Sequence, residues 1–282
     1  SDKYLAHTKI MAHFEELCND TKFIHEAIKD CISKPNFFKS SDNLFFHLLV
    51  EGDVIISINL FTPIYDKTKD ITQDNIHHHG WRLLTTGIIS GKGYDTINFV
   101  KRSHQQLDEG KINLKIEKNF THTSGKSRFL DSDQAHVVFH PESTCATLAL
   151  WSANKNMGNQ KIKYVLKNYP KLSKFTSNTI HKIGLNKFLG LNQKNNVQFI
   201  PKNGNIILNP NPAKEIDGPP DEIVPCMFKF FQQINLKDDA LFNEIKKTSS
   251  NSIRTLCNKL ISDEPIADMG IRGNIKRRFT KK

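Results

Sequence analysis

Three consecutive histidines, His77, His78 and His79, are the part of the chain whose residue types and spacing most clearly indicate chemistry. Alternate side chains of a β-strand share one face, so His77 and His79 would point the same way and His78 the opposite way. Their Cα atoms would lie about 7 Å apart, close enough for both imidazoles to bind one metal ion. Imidazole binds Fe, Zn, Cu, Mn and Ni, so the ligand type does not select the metal. The pair therefore predicts two ligands of a transition-metal site.

A third ligand must come from a neighbouring strand, and the segment HVVFHPE offers His136 and His140. We predict His136 as the third metal ligand. His140 would share its face in a strand, as a fourth ligand or as a catalytic base beside the metal. A 2-oxoglutarate oxygenase normally carries a carboxylate two residues after the first histidine. His79 occupies that position here, so this class of oxygenase is not favoured.

Other polar residues of the same region could bind a substrate. Arg82, Tyr94 and Arg128 could each contact a carboxylate or an amide. We predict that Arg82, beside the metal ligands, and Tyr94 contact the substrate, and that His140 completes the catalytic set. Metal-bound histidines usually donate their second N–H to a carboxylate or carbonyl. The candidate acceptors, each of which could equally cap a turn, are Asp74, Asp131 and Asp133.

The pattern of apolar and turn residues predicts the elements that would position these side chains. Residues 4–33 have helical spacing, and Pro35 ends the helix. Short β-rich runs with frequent turn residues follow from about 44 to 151 and favour an antiparallel sandwich or barrel. Beyond them we expect helices over 160–190, two strands at NVQFIP and NIILNP, a rigid proline-rich loop over 209–225, a strand at CMFKFFQQINL and a helix over 238–261.

Composition sets the broad class of the protein. The chain has 282 residues, 38% of them hydrophobic, enough for one large domain or two modest ones. No apolar run approaches the roughly 18–20 residues that cross a bilayer, and no signal peptide is expected. The five cysteines form no C-x-x-C pair and are predicted to be reduced, buried thiols, as in the cytoplasm. Residues 161–282 hold 22 of the 40 Lys and Arg but only 10 of the 29 acidic residues, so the C-terminal part of the chain is basic. Because its lysines are dispersed along the sequence, nucleic acid is not expected as a partner.

Two short motifs resemble those of the cupin superfamily. His77-x-His79 precedes Gly91 by twelve residues, as in the first cupin motif, and His136 to His140 leads into an apolar run, as in the second. The resemblance covers residues 45–155. It implies an antiparallel β-barrel of the double-stranded β-helix type, and it allows a homodimer, because cupins often dimerise.

Within the cupins, the chain is similar to the thiol dioxygenases of the cysteine dioxygenase type. These have helices before the barrel and three histidine ligands without a glutamate, and the corresponding glutamate window here, around Leu83 and Leu84, is apolar. The resemblance implies a non-haem Fe(II) dioxygenase that uses O₂ and acts on a small thiol or amino acid derivative. The chain departs from that family because it has no cysteine near Leu84 and no arginine in VIISINLF, so cysteine itself is not expected as the substrate.

We therefore expect a mainly β cupin-type enzyme with N-terminal helices and a mixed α+β C-terminal extension. The expected segments are a helical segment at 1–43, the barrel with its metal site at 44–158, an extension packed on the barrel at 159–270 and a basic tail at 271–282. Two alternatives stay open. One is a non-oxidative isomerase or lyase using Zn, Mn or Ni, and the other is a non-enzymatic cupin that binds an anion or nucleic acid.

Overall fold

The computed structural model describes residues 3–34, 37–39, 45–71, 76–79, 82–100, 111–112, 114–132, 134–153, 197–202, 205–209, 220–268 and 271–275. The helices are α1 (Lys3–Asn19), α2 (Thr21–Ile32), α3 (Pro220–Gln233), α4 (Asp239–Thr248) and α5 (Asn251–Ile261), with a 3₁₀ turn at Phe37–Lys39. The strands are β1 (Phe45–Glu51), β2 (Val54–Phe61), β3 (Ile64–Ile71), β4 (Ile76–His78), β5 (Arg82–Ser90), β6 (Tyr94–Phe99), β7 (Lys111–Ile112), β8 (Ile116–His122), β9 (Ser127–Leu130), β10 (His136–Val138), β11 (Cys145–Ala153), β12 (Val197–Lys202), β13 (Asn205–Asn209) and β14 (Ile271–Ile275).

Twelve of the described strands form two antiparallel sheets that face each other, and β3 and β14 form a separate two-stranded sheet. One sheet has the order β1-β2-β11-β5-β9, and the other has the order β7-β13-β12-β4-β10-β6-β8. The eight central strands, β2-β11-β5-β9 opposite β4-β10-β6-β8, follow the strand order of a double-sheet jelly roll, the architecture of cupins. The predicted mainly β, cupin-type fold is therefore confirmed. In the described residues the jelly roll is two separate hydrogen-bonded sheets rather than one closed barrel.

The first sheet buries its outer face against the helices. Along β2 and β11, Ile58 and Leu148 are fully buried in one apolar core that also contains Ile28 of α2 and Phe228 of α3. The alternate residues Ser57, Asn59, Thr147 and Ala149 point the other way, toward the second sheet. We call the space between the sheets, lined by Thr147, Thr86 and Tyr94, the inter-sheet interior. Its lining is much more polar than the core under the helices.

The C-terminal extension differs from the prediction at two elements. The single helix predicted over 238–261 is divided into α4 and α5, because Ser249 and Ser250 have extended backbone. CMFKFFQQINL, predicted as a strand, lies mostly in helix α3, which begins at Pro220 and therefore also includes the end of the predicted proline-rich loop. Proline suits the first position of a helix, because its missing N–H has no partner there. A short, continuously apolar run has neither strand nor helix periodicity, and here it is buried on several sides at Met227, Phe228 and Phe230.

Two other parts of the extension join the strands. The predicted strands around 197–209 are present as β12 and β13, and β12 pairs with β4, with Val197 opposite His78 and Gln198 opposite His77. β14 pairs in parallel with β3, so the beginning of the predicted basic tail is a strand. The helices predicted over 160–190 lie outside the described residues. All five cysteines are free and buried, as predicted.

His7 on α1 gives the fold a pH dependence. It is 3% exposed, its Nδ1 lies 2.7 Å from Thr85 Oγ1, and its Nε2 lies 2.8 Å from Ser152 Oγ. Burial, and secondarily the charge of Lys3, lowers the pKa of His7 to about 4. An unfolded histidine titrates near pH 6.5, so only the unfolded chain gains this proton between about pH 6.5 and 4.

We therefore expect His7 to remove roughly 2–3 kcal/mol from the free energy of unfolding as the pH falls through that window, and to cost nothing above it. Urea unfolding at several pH values would measure this slope. His7→Gln should flatten it, whereas the exposed control His13→Gln should leave it unchanged. An identical slope in His7→Gln and the unaltered protein would contradict this assignment.

Candidate metal centre

The three predicted ligands meet where β4 and β10 pair. His77 lies directly opposite His136 in the antiparallel register, and His79 follows the end of β4 by one residue. The ring centroids are 4.4 Å apart for His77 and His136, 4.8 Å for His77 and His79, and 4.9 Å for His79 and His136. One ligand nitrogen from each ring lies within 4.8 Å of the others. The structure thus brings together the three imidazoles that the sequence predicted.

The donor set fits a transition-metal ion. His136 is 6% exposed, and its buried Nδ1 has no hydrogen-bond partner. Burial, followed by the neighbouring His77 and His79 rings, holds the pKa of His136 well below its usual value, so the ring is neutral and its lone pair is available. Among the described residues, this cluster contains imidazoles and no carboxylate. Three imidazole ligands suit Fe, Zn, Cu, Mn and Ni.

Trp151 forms a wall of this centre. Its ring meets His79 edge-on at a centroid distance of 4.7 Å, and it comes from β11 in the opposite sheet. The indole Nε1 donates a hydrogen bond to Ser57 Oγ at 3.3 Å, and Ser57 Oγ donates to Asn59 Oδ1 at 2.9 Å. These bonds fix the orientation of the indole, which shields one side of the histidine cluster.

The structure places the three predicted catalytic residues at different distances from the triad. Arg82 opens β5, and its backbone N–H donates to the His79 carbonyl at 3.2 Å, so it is adjacent to the ligands. Tyr94 is buried against Phe61 and His122, with centroids 4.6 and 5.4 Å away, and burial raises its pKa. In β6, the residue paired with His136 is Asn98. Tyr94 lies four residues before Asn98, so it is displaced by about 13 Å along the strand.

His140 takes part in a separate contact. Its Nδ1 lies 2.8 Å from the Thr62 carbonyl oxygen, and burial lowers its pKa. It does not join the three clustered ligand nitrogens. Of the predicted acceptors for the ligand N–H groups, Asp131 accepts the backbone N–H of Ser132 at 2.6 Å. Asp74 and Asp133 lie outside the described residues.

His122 and Thr147, two residues of the inter-sheet interior, were not predicted to be functional. His122 is 2% exposed and Thr147 fully buried, and each has a buried polar atom without a hydrogen-bond partner. His122 lies in β8 directly opposite Tyr94. The alternation of β8 could have placed His122 on the same face as Phe120, but no local signal identified that face as the inner one.

Comparison with known proteins gives structural similarities only. No protein-family model and no curated protein matches the sequence. The similar solved structures include a DMSP lyase, DddQ, from Ruegeria pomeroyi (13% identity, 39% of this chain and 46% of that chain, TM-score 0.26). They also include a cupin protein from Bacteroides fragilis (18%, 37% and 70%, 0.25) and an oxalate oxidase in complex with the substrate analogue glycolate (13%, 36% and 43%, 0.25).

The matched region spans less than half the length of the lyase and of the oxidase. Likenesses of this extent carry neither function nor family membership to this chain, so the cupin-type fold stands on the strand order described above. None of the helices in the described ranges is long and apolar enough to span a membrane.

Proposed function

We propose that this protein is a mononuclear metal-dependent oxygenase of the cupin type, with non-haem Fe(II) held by His77, His79 and His136. The observation that carries the proposal is the convergence of these three rings at the junction of β4 and β10. The proposed substrate is a small polar molecule such as a thiol or an amino acid derivative. Fe(II) bound by three side chains would keep coordination positions open for substrate and O₂ side by side.

The chain's own residues would hold the three histidines in position and exclude water from them. The low pKa of His136 keeps its ring neutral at pH 7, so that it can bind a cation without first losing a proton. The Arg82 N–H fixes the backbone of His79, and Trp151 covers the ring edge. We propose that the Arg82 side chain, next to the ligands, contacts the substrate. Tyr94 and His140 are proposed to act from further away, through the packing and polarity of the pocket.

Metal content is the deciding measurement for this proposal. Protein purified without a tag should contain about one iron per chain, or take it up from Fe(II) under anaerobic conditions. The iron-loaded protein should consume O₂ in the presence of a small thiol such as cysteamine, 3-mercaptopropionate or N-acetylcysteine, and the zinc-loaded protein should not. A chain that binds none of Fe, Zn, Mn and Ni would refute the metal centre.

A second function is supported by the same donor set. Three imidazole ligands also suit Zn, Mn and Ni, which serve isomerase and lyase chemistry without O₂. Stoichiometric Zn, Mn or Ni in the purified protein, together with a failure to retain Fe(II), would favour this non-oxidative function over the oxygenase.

A further inference from the structure

The inner face of β9 carries a charged side chain that the proposed metal chemistry does not use. Ser127 Oγ donates to the Met11 carbonyl at 3.1 Å, and the ring of Phe129 packs edge-on against Tyr4 at 5.1 Å. Both residues therefore face α1 on the outside of the sheet. Because strand side chains alternate, Arg128 between them points into the inter-sheet interior.

Among the described residues, one donor of the Arg128 guanidinium is left without an acceptor. Its guanidinium carbon lies 4.9 Å from the ring centroid of Phe120, which belongs to the opposite sheet. Its Nε is buried and has no hydrogen-bond partner. In the described parts of the chain, no carboxylate forms an ion pair with it. A buried donor without an acceptor is costly, and more so when it is charged. This arrangement suits a group whose hydrogen bonds are completed by a bound molecule.

Two further unsatisfied polar atoms line the same interior, namely His122 Nδ1 and Thr147 Oγ1, on residues that are 2% and 0% exposed. His122 Nε2 lies 3.1 Å from Thr86 Oγ1, and Thr86 is the register partner of Arg128. Burial, and secondarily the charge of Arg128, lowers the pKa of His122 to about 4. His122 is therefore neutral at pH 7, and a hydrogen bond donated by Thr86 to Nε2 would leave a proton on Nδ1.

Arg128 is connected to the metal centre through apolar contacts. Two residues further along β9, Leu130 packs with Leu84 and Trp151, and Trp151 meets His79. Arg128 and Leu130 are neighbours on the inner face of β9, about 7 Å apart along the strand. Arg128 is therefore one such position further from the metal centre than Leu130. A small molecule anchored at Arg128 would extend toward the three histidines.

We propose that Arg128 binds the carboxylate of a small substrate in the inter-sheet interior. The planar guanidinium fork matches a carboxylate, and His122 and Thr147 offer the next polar contacts. This inference rests on the proposed function in one respect, namely that the end of the substrate opposite the carboxylate binds the metal. The carboxylate site itself requires no metal, and it can be tested without one.

Calorimetric titration of propionate into the full chain, at constant ionic strength, tests the inference. The metal-free protein should bind propionate, and should bind the uncharged isostere propionamide at least about tenfold more weakly. Arg128→Gln should weaken propionate binding about 10–100-fold. The control Arg254→Gln removes the same charge at an exposed arginine of α5, whose Nε donates to the Lys246 carbonyl, and should leave the Kd unchanged.

Unchanged propionate affinity in Arg128→Gln would overturn the inference, and so would inorganic phosphate binding more tightly than propionate. If Arg128→Gln does not fold, Arg128→Lys keeps the charge without the fork; it should still bind propionate more weakly, and equal affinity would overturn the proposal. The two proposals fail separately. Arg128-dependent binding in a chain that takes up no metal would refute only the proposed function, whereas Arg128-independent binding in a metal-loaded chain would refute only this inference.

Discussion

His136→Ala should reduce bound metal from about one ion per chain to near zero. His136 contributes the buried ligand of the triad, and its ring faces both His77 and His79 at centroid distances under 5 Å. Loss of a residue that merely orients a ligand typically costs 10–100-fold in metal affinity, so loss of the ligand itself should cost at least about 100-fold. Dialysis against Fe(II) or Zn(II), followed by elemental analysis, would measure the change.

The fold should survive this substitution, because His136 lies outside the apolar core under the helices, in the sheet that does not pack on them. The far-ultraviolet circular dichroism should therefore be unchanged. His13→Ala provides the matched control, since it removes an exposed imidazole from α1. Metal retained at one ion per folded His136→Ala chain would remove His136 from the site.

Gly93→Ala should strongly destabilise the protein, and more than Gly52→Ala. Gly93 has a φ of +90°, and an added Cβ would lie 1.8 Å from the backbone carbonyl oxygen of His122. Neither group is the end of a flexible side chain, so β6 and β8 would have to separate. Positive-φ strain and this backbone clash together should lower the free energy of unfolding by about 3–5 kcal/mol, measured by urea denaturation.

Gly52→Ala separates the clash from the backbone strain. Gly52 has a φ of +62° in the turn between β1 and β2, but nothing lies within 4 Å of its added Cβ. This variant should lose only about 1–2 kcal/mol. Equal losses of unfolding free energy in the two variants would show that the clash with His122 adds nothing to the cost of Gly93→Ala.

The histidine cluster could be predicted from the sequence because its geometry is local. The alternation of a strand places His77 and His79 on one face, and one antiparallel pairing adds His136. The pairing of β12 with β4 could not be predicted, since more than a hundred residues separate them and no local pattern records the contact. Helix α3 was predicted as a strand in part, because its apolar run is buried on several sides and lacks a readable period.

The inward position of Arg128 could not be predicted from the sequence either, for a different reason. In most half-exposed strands the apolar residues mark the inner face, and Phe129 would be expected there rather than Arg128. Here the outer face is also covered, because α1 packs on β9, so both faces are buried and the hydrophobic pattern no longer identifies the jelly-roll interior.

The pairing of β12 beside β4 has a consequence for dissecting the protein. β4 is three residues long and bonds to β10 on one side and to β12 on the other. A fragment cut after β11 would keep all three histidines yet expose the free N–H and C=O groups of β4, which carries His77. Such an edge invites pairing with other chains. We therefore expect the histidine-bearing half to require the β12–β13 hairpin, encoded far downstream, to keep β4 in place.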